Sequence, residues 1–132
     1  LYLFTEAILN DRPISVFNFG DMRRDFTFID DIVEGTIRAL DRPPARTNQE
    51  PPHRVFNLGN NQAEPLLKVI EILEKALGKK AHKLLEPIQP GDVPETYADI
   101  SAAARELGFA PKTSVEEGVA KFVDWYRMYS GC

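Results

Sequence analysis

The apolar residues of this chain change their spacing several times, and each change marks an element boundary. LYLFTEAIL (residues 1–9) is apolar in the manner of a helix interior and is stopped by Asn10, Asp11 and Pro13, whose turn chemistry ends regular structure. ISVFNF (14–19) is β-branched and aromatic and reads as a strand that Gly20 and Asp21 break. RRDFTFI (23–29) reads as a second strand, with Phe26 and Phe28 on one face and Thr27 on the other. Asp30 or Asp31 then caps a helix running to about Leu40, in which Ile32, Val33, Thr36, Ile37 and Leu40 recur at helical spacing.

DRPPARTNQEPPH (41–53) lacks apolar periodicity and is rich in proline, so it reads as a surface loop. RVFNLG (54–59) follows as a short strand. The clearest helix spans 65–77. Pro65 suits its first position, Leu66, Val69, Ile70, Leu73 and Leu77 form one stripe, and Gly78 terminates it. HKLLEP (82–87) reads as a strand and QPGDVPETYAD (89–99) as a proline-rich loop. A short helix from about Ser101 to Leu107 ends at Gly108 and Pro111. Ser114 and Glu117 then form a capping box for a last helix with the stripe Val115, Val119, Phe122, Tyr126 and Tyr129. Mixed short strands and helices without an internal repeat predict an α/β or α+β fold, with too few strands for a self-contained doubly wound sheet.

Composition narrows the class. The 132 residues suffice for one domain with a modest core, and 43% hydrophobic with 27% charged residues is globular rather than disordered. A formal charge of −4 argues against a nucleic-acid partner held by phosphate neutralisation. Cys132 is the single cysteine, so no internal disulfide or zinc spacing is available, and a reducing, cytoplasmic setting is expected. No apolar run approaches the roughly 20 residues of a membrane span, and no signal-peptide pattern is present, so no membrane partner is expected. The chain opens at Leu1 inside a helical pattern, and a fragment of a longer protein is expected.

Candidate chemistry concentrates in two stretches. Arg23 and Arg24 stand where a strand leaves a loop, and a guanidinium fork matches phosphate oxygens. The alternative is a surface pair neutralised by Asp21 and Asp25. In QPGDVPETYAD, Gly91 lets the backbone turn, and Asp92 can accept hydrogen bonds from vicinal hydroxyls such as those of a ribose; the alternative is a plain Pro-Gly-Asp turn. Asp99 reads as a cap or turn former for the helix at Ser101. Asn57 and Asn60 in FNLGNNQ read as strand-exit hydrogen-bonding residues, because the stretch lacks the Lys-Ser/Thr of a phosphate loop. His53 and His82 have no patterned partner. Trp125, Tyr126 and Tyr129 read as packing, and Cys132 as an exposed tail residue. No Gly-x-Gly-x-x-Gly and no Tyr-x-x-x-Lys occurs.

The order ISVFNFGDMRRDFTFIDDIVEG, RVFNLGNNQ, QPGDVPETYAD, ARELGFAPKTSVEEGVAKFVDWY resembles the extended short-chain dehydrogenase/reductase (NAD-dependent epimerase/dehydratase) family over essentially the whole chain. It is most similar to the C-terminal half of the UDP-glucuronate 4-epimerase branch. The resemblance implies an α/β, C-terminal substrate-binding portion of an extended Rossmann-type, NAD(P)-binding protein. Elements at about 30–60 would pack on an N-terminal Rossmann domain that holds NAD and the catalytic residues. It implies that Arg24 contacts a UDP diphosphate, that Asp92 holds ribose hydroxyls, and that Ser15 and Phe17 present backbone to uracil. Gln89 falls where related galactose epimerases carry a second phosphate-binding arginine, and Arg23 is the candidate substitute. The implied activity is 4-epimerisation of a UDP-sugar by transient C4 oxidation, in a homodimer when full length, serving polysaccharide synthesis; the fragment itself would be inactive and poorly stable. Another nucleotide-sugar epimerase, a 4,6-dehydratase, a uronate decarboxylase and a non-catalytic binding module remain alternatives.

Overall fold

The computed structural model describes residues 1–46 and 51–131. The elements run α1 (Tyr2–Leu9), β1 (Ile14–Val16), β2 (Arg23–Asp25), α2 (Ile29–Leu40), β3 (Ala63–Pro65), α3 (Leu66–Leu77), β4 (Lys83–Leu85), α4 (Ser101–Leu107) and α5 (Val115–Ser130). β1 pairs in parallel with β4, Ser15 opposite Leu84. β2 pairs antiparallel with β3, Arg24 opposite Glu64. The architecture is thus α/β with short strands.

The main core gathers where α1, β1, α3 and α5 meet. Ile8, Val16, Val69, Ile70, Leu73, Val119 and Val123 are almost fully buried there. The 65–77 stripe faces this core as its spacing requires, and each fully buried Val, Ile or Leu contributes about 1.5–3 kcal/mol relative to exposure. α5 begins where the capping box predicts, with Ser114 Oγ accepting from Glu117 N at 3.2 Å, but the Glu117 carboxylate turns to Lys121 at 2.8 Å instead of completing the box. Its stripe is Val115, Val119, Val123 and Tyr126; Tyr129 instead lies exposed and stacks on Trp125 at 5.1 Å. A second, smaller cluster joins Ile100, Ala103, Leu107 and Phe109 to Phe56, Leu58 and Ala98.

Several predicted elements are shorter than their composition suggests. β1 stops at Val16 because Asn18 and Phe19 both take left-handed φ, at 49° and 53°, and the chain turns before Gly20. β2 stops at Asp25, and Phe26 and Phe28 line a cavity instead of continuing a ladder. RVFNLG has no regular secondary structure and pairs with no strand among the described residues. Pro65 is the N-cap of α3 and the last residue of β3, a strand the composition hides.

α2 starts at Ile29 with Phe28 as its cap residue, so neither Asp30 nor Asp31 caps it. Asp31 is buried, and its two oxygens accept from Lys112 N and Thr113 N, both at 3.1 Å, which fastens α2 to the entry of α5. Arg38 Nη1 donates to Leu107 O at 3.2 Å and Gly108 O at 2.9 Å, a cation over the carbonyl end of α4. Packed this way, α2 turns the other side outward: Ile29, Val33, Ile37 and Leu40 are all exposed, Leu40 to 77%. The proline loop continues to Arg46 without regular structure, residues 47–50 and Cys132 lie outside the described residues, and His53 and His82 are exposed.

Candidate functional site

β4 and the segment after it assemble the site. Glu86 follows β4; its amide donates to Val16 O at 3.0 Å, its carbonyl accepts Phe19 N at 2.9 Å, and its Oε1 accepts Ser15 Oγ at 2.7 Å. Ser15 and Phe17 are both half-buried along this segment. A further hydrogen-bonded anchor sets the position of β4. Glu74 of α3 is buried and accepts from Ala81 N at 3.0 Å, from Lys80 Nζ at 2.8 Å and from Lys83 Nζ. Burial alone would raise its carboxyl, but the lysine and backbone hydrogen bonds outweigh that and hold it down at about 2.

From Glu86 the chain reaches a tight turn at Gln89–Asp92. Asp92 N donates to Gln89 O at 3.1 Å, Pro90 occupies the second position, and Gly91 adopts φ 86°, the signature of a type II turn. The turn delivers Asp92 to Arg24: Nη2 donates to Asp92 Oδ1 at 2.7 Å, with both side chains partly buried. Arg24 Nη1 also donates to Arg23 O at 2.8 Å and Pro94 O at 3.2 Å, so the guanidinium plane is held from three sides. Asp92 Oδ1 accepts Val93 N at 2.8 Å as well. Arg24 and Asp92, drawn from distant parts of the chain, therefore meet.

The remaining candidates are distributed around that pair. Arg23 Nη2 donates to Ala63 O at 2.5 Å, and Nε stands 3.7 Å from Glu95, so its guanidinium ties β2 to both neighbouring segments. Gln89 is exposed and enters the turn through its carbonyl. Asp99 forms the turn before α4, whose N-cap residue is Ile100, its Oδ1 accepting Ser101 N at 2.9 Å and Ser101 Oγ at 2.6 Å. Those two hydrogen bonds lower its carboxyl below the usual range. Asn57 Nδ2 donates to Asp99 O at 3.3 Å, a structural link.

One residue next to the pair escaped its sequence reading. Asp25 does not neutralise an arginine. Its carboxylate accepts three backbone amides: Asn60 at 2.9 Å, Asn61 at 3.2 Å and Ala98 at 3.0 Å. Gly59 stands against this joint, and a Cβ there would sink into Ala98 Cβ and touch Asp25 Oδ2, so only glycine fits. A polar cavity of about 450 Å³ opens beside it, lined by Asp25, Thr27, Asn57, Thr96 and Tyr97 among others. A second, apolar cavity of about 570 Å³ lies between residues 26–29 and α5 and shares Thr27 with the polar one. No cluster of metal-ligating side chains and no helix long and apolar enough to cross a membrane exists among the described residues.

The comparisons with known proteins bear on this geometry. The family model described as GDP-mannose 4,6 dehydratase matches residues 3–122. Protein CapI of Staphylococcus aureus is 45% identical over 141 aligned residues, covering 98% of this chain and 42% of its own length. UDP-glucuronate 4-epimerase 4 of Arabidopsis thaliana is 44% identical, covering 97% of this chain and 32% of its own. The crystal structure of UDP-glucuronic acid 4-epimerase from Bacillus cereus, in complex with UDP-glucuronic acid and NAD, superposes with a TM-score of 0.81 at 33% identity, over 96% of this chain and 38% of that one. The chain thus spans less than half the length of these relatives.

Proposed function

We propose, from the premise that this chain belongs to the GDP-mannose 4,6 dehydratase family, that it is the nucleotide-sugar-binding portion of a longer NAD-dependent UDP-sugar 4-epimerase, with UDP-glucuronate as the substrate. The observation that carries the reading is the 2.7 Å approach of Arg24 to Asp92. A cation and a hydroxyl acceptor this close, on one partly buried edge, suit the junction between a diphosphate and a ribose. The relatives named for UDP-glucuronate epimerisation support the choice of sugar.

In this reading Arg24 holds the diphosphate and Asp92 the ribose hydroxyls. Ser15 and Phe17, on the strand that Glu86 borders, offer backbone to the uracil edge. Gln89 contributes no charge where related enzymes use a second arginine, and Arg23 is the nearest further cation. Anchoring the nucleotide supplies binding energy without restraining the sugar, which has to turn between oxidation at C4 and reduction.

NAD supplies the hydride chemistry in such an enzyme, and the described residues of this chain do not fit it. The sequence carries no Gly-x-Gly-x-x-Gly loop, and the first turn of α2 carries Asp30 and Asp31, which oppose a pyrophosphate at that helix's N-terminus. We therefore assign cofactor and proton transfer to the remainder of the longer protein. The outward stripe of α2 and the unpaired RVFNLG segment are the surfaces we assign to docking that remainder; the stripe is apolar, and the segment offers backbone groups to a sheet.

The test is product analysis with the complete protein and a panel of nucleotide sugars. Interconversion of UDP-glucuronate and UDP-galacturonate is the expected result. Release of carbon dioxide from UDP-glucuronate, or water loss from a nucleotide hexose, would move the protein to the decarboxylase or dehydratase reading, the latter favoured by the description of the family itself. UDP binding without turnover of any sugar would leave a binding module.

A further inference from the structure

We infer that Asp25 is the positioning residue for Arg24, because its carboxylate completes a strand ladder that the backbone leaves unfinished. The inference rests on the nucleotide reading above and deepens it.

Residues 94–98 run parallel to β2. Arg23 N donates to Pro94 O at 2.8 Å and Thr96 N to Arg23 O at 3.1 Å, which is one regular step of a parallel ladder about the Arg23–Glu95 bridge. The next step would join Asp25 N to Thr96 O and Ala98 N to Asp25 O. Side-chain oxygens substitute for both carbonyls: Asp25 N donates to Thr96 Oγ1 at 3.3 Å, and Ala98 N donates to Asp25 Oδ2 at 3.0 Å. The same carboxylate reaches the other way to Asn60 N and Asn61 N.

Asp25 thus clamps the end of β2 between two loops. Arg24 lies inside this clamp, one residue before Asp25, and takes a hydrogen bond geometry fixed by Pro94 O on the clamped segment. If the 94–98 segment separates from β2, Arg24 loses Pro94 O, and Asp92, two residues before Pro94, loses its place beside the guanidinium. Asp25 touches neither Asp92 nor Arg24 through its side chain; it acts on the site through the backbone.

The test is a double-mutant cycle in the complete protein, reading UDP affinity by calorimetry below the melting temperature of each variant. Asp25→Asn should weaken UDP by about tenfold, and by less than about twofold once Arg24→Ala is present, the signature of two residues acting as one unit. Thr96→Val removes the other side-chain rung and should act in the same direction by about threefold, which serves if Asp25→Asn does not fold. Asp31→Asn is the control: it removes a buried carboxylate that likewise accepts backbone amides, at α2, and should leave UDP affinity unchanged. An Asp25→Asn loss that persists in full without Arg24, or an equal loss in Asp31→Asn, overturns the inference and leaves the nucleotide reading standing. Wild-type protein that does not bind UDP overturns both.

Discussion

Arg24 Nη2 and Asp92 Oδ1 lie 2.7 Å apart, so the cation proposed for a diphosphate already has a carboxylate against it. The pair makes the two residues separable by ligand. Asp92→Asn turns one of the two carboxylate oxygens that could accept from a ribose into an amide donor, and also removes the anion that competes for Arg24. UDP should bind about tenfold more weakly to this variant, while inorganic pyrophosphate, which has no ribose, should bind more tightly. Titration of both ligands checks the opposite signs.

Arg24→Ala removes the charge outright. Hydrogen bonds to charged groups contribute about 1.5–3 kcal/mol, so kcat/KM for the UDP-sugar should fall about ten- to hundredfold. Rates measured with substrate far below saturation decide this, and an unchanged value removes Arg24 from diphosphate binding.

Gly59→Ala should destabilise the fold by about 1–3 kcal/mol, because its new methyl overlaps Ala98 at the Asp25 joint. Adding Ala98→Gly removes the overlapping atom and should restore most of the loss. Denaturant unfolding of the single and double variants measures the recovery.

Glu74 links stability to pH. Its folded-state carboxyl is held at about 2, below the ordinary 4.5, so its contribution is present in full above about pH 4.5 and is lost as pH falls through the folded value. Glu74→Gln should cost about 1–3 kcal/mol at pH 7, and the gap to wild type should close as pH approaches 2. Melting curves along a pH series follow it.

The outward stripe of α2 gives a prediction that changes sign with context. Ile37→Lys puts a charge on a position 52% exposed in this chain. The isolated 132 residues should become more soluble and bind less hydrophobic dye, whereas the complete protein should lose about 1–3 kcal/mol if this face is buried there. Melting and dye binding of both forms compare the two.

How much of this was legible in the letters depended on what each contact is made of. α3, α4 and α5 announce themselves because burying one face of each enforces helical spacing, and Gly78, Gly108 and Ser114 punctuate it. Arg24 and Asp92 were both singled out, since guanidinium and carboxylate chemistry is written in the side chain. Asp25 reads in the letters only as an alternative charge partner for its neighbours, because its partners in the fold are backbone amides of Asn60, Asn61 and Ala98, and an amide has no letter of its own. The overlong strands have a related cause. Asn18 is of a type that tolerates left-handed backbone but Phe19 gives no sign of it, and the alternation of Phe26 and Phe28 reflects a cavity wall instead of a pleat. β3 stayed hidden because a proline closes a three-residue strand on a sheet edge.

A ladder made of peptide groups is indifferent to mutation, since every residue but proline brings the same donor and acceptor. Where Thr96 Oγ1 and Asp25 Oδ2 stand in for peptide carbonyls, that immunity ends, and the seam between strand and loop becomes inheritable codon by codon. Single replacements at Thr96 or Asp25 can therefore loosen or tighten this seam, which no replacement short of proline could do along an all-peptide ladder.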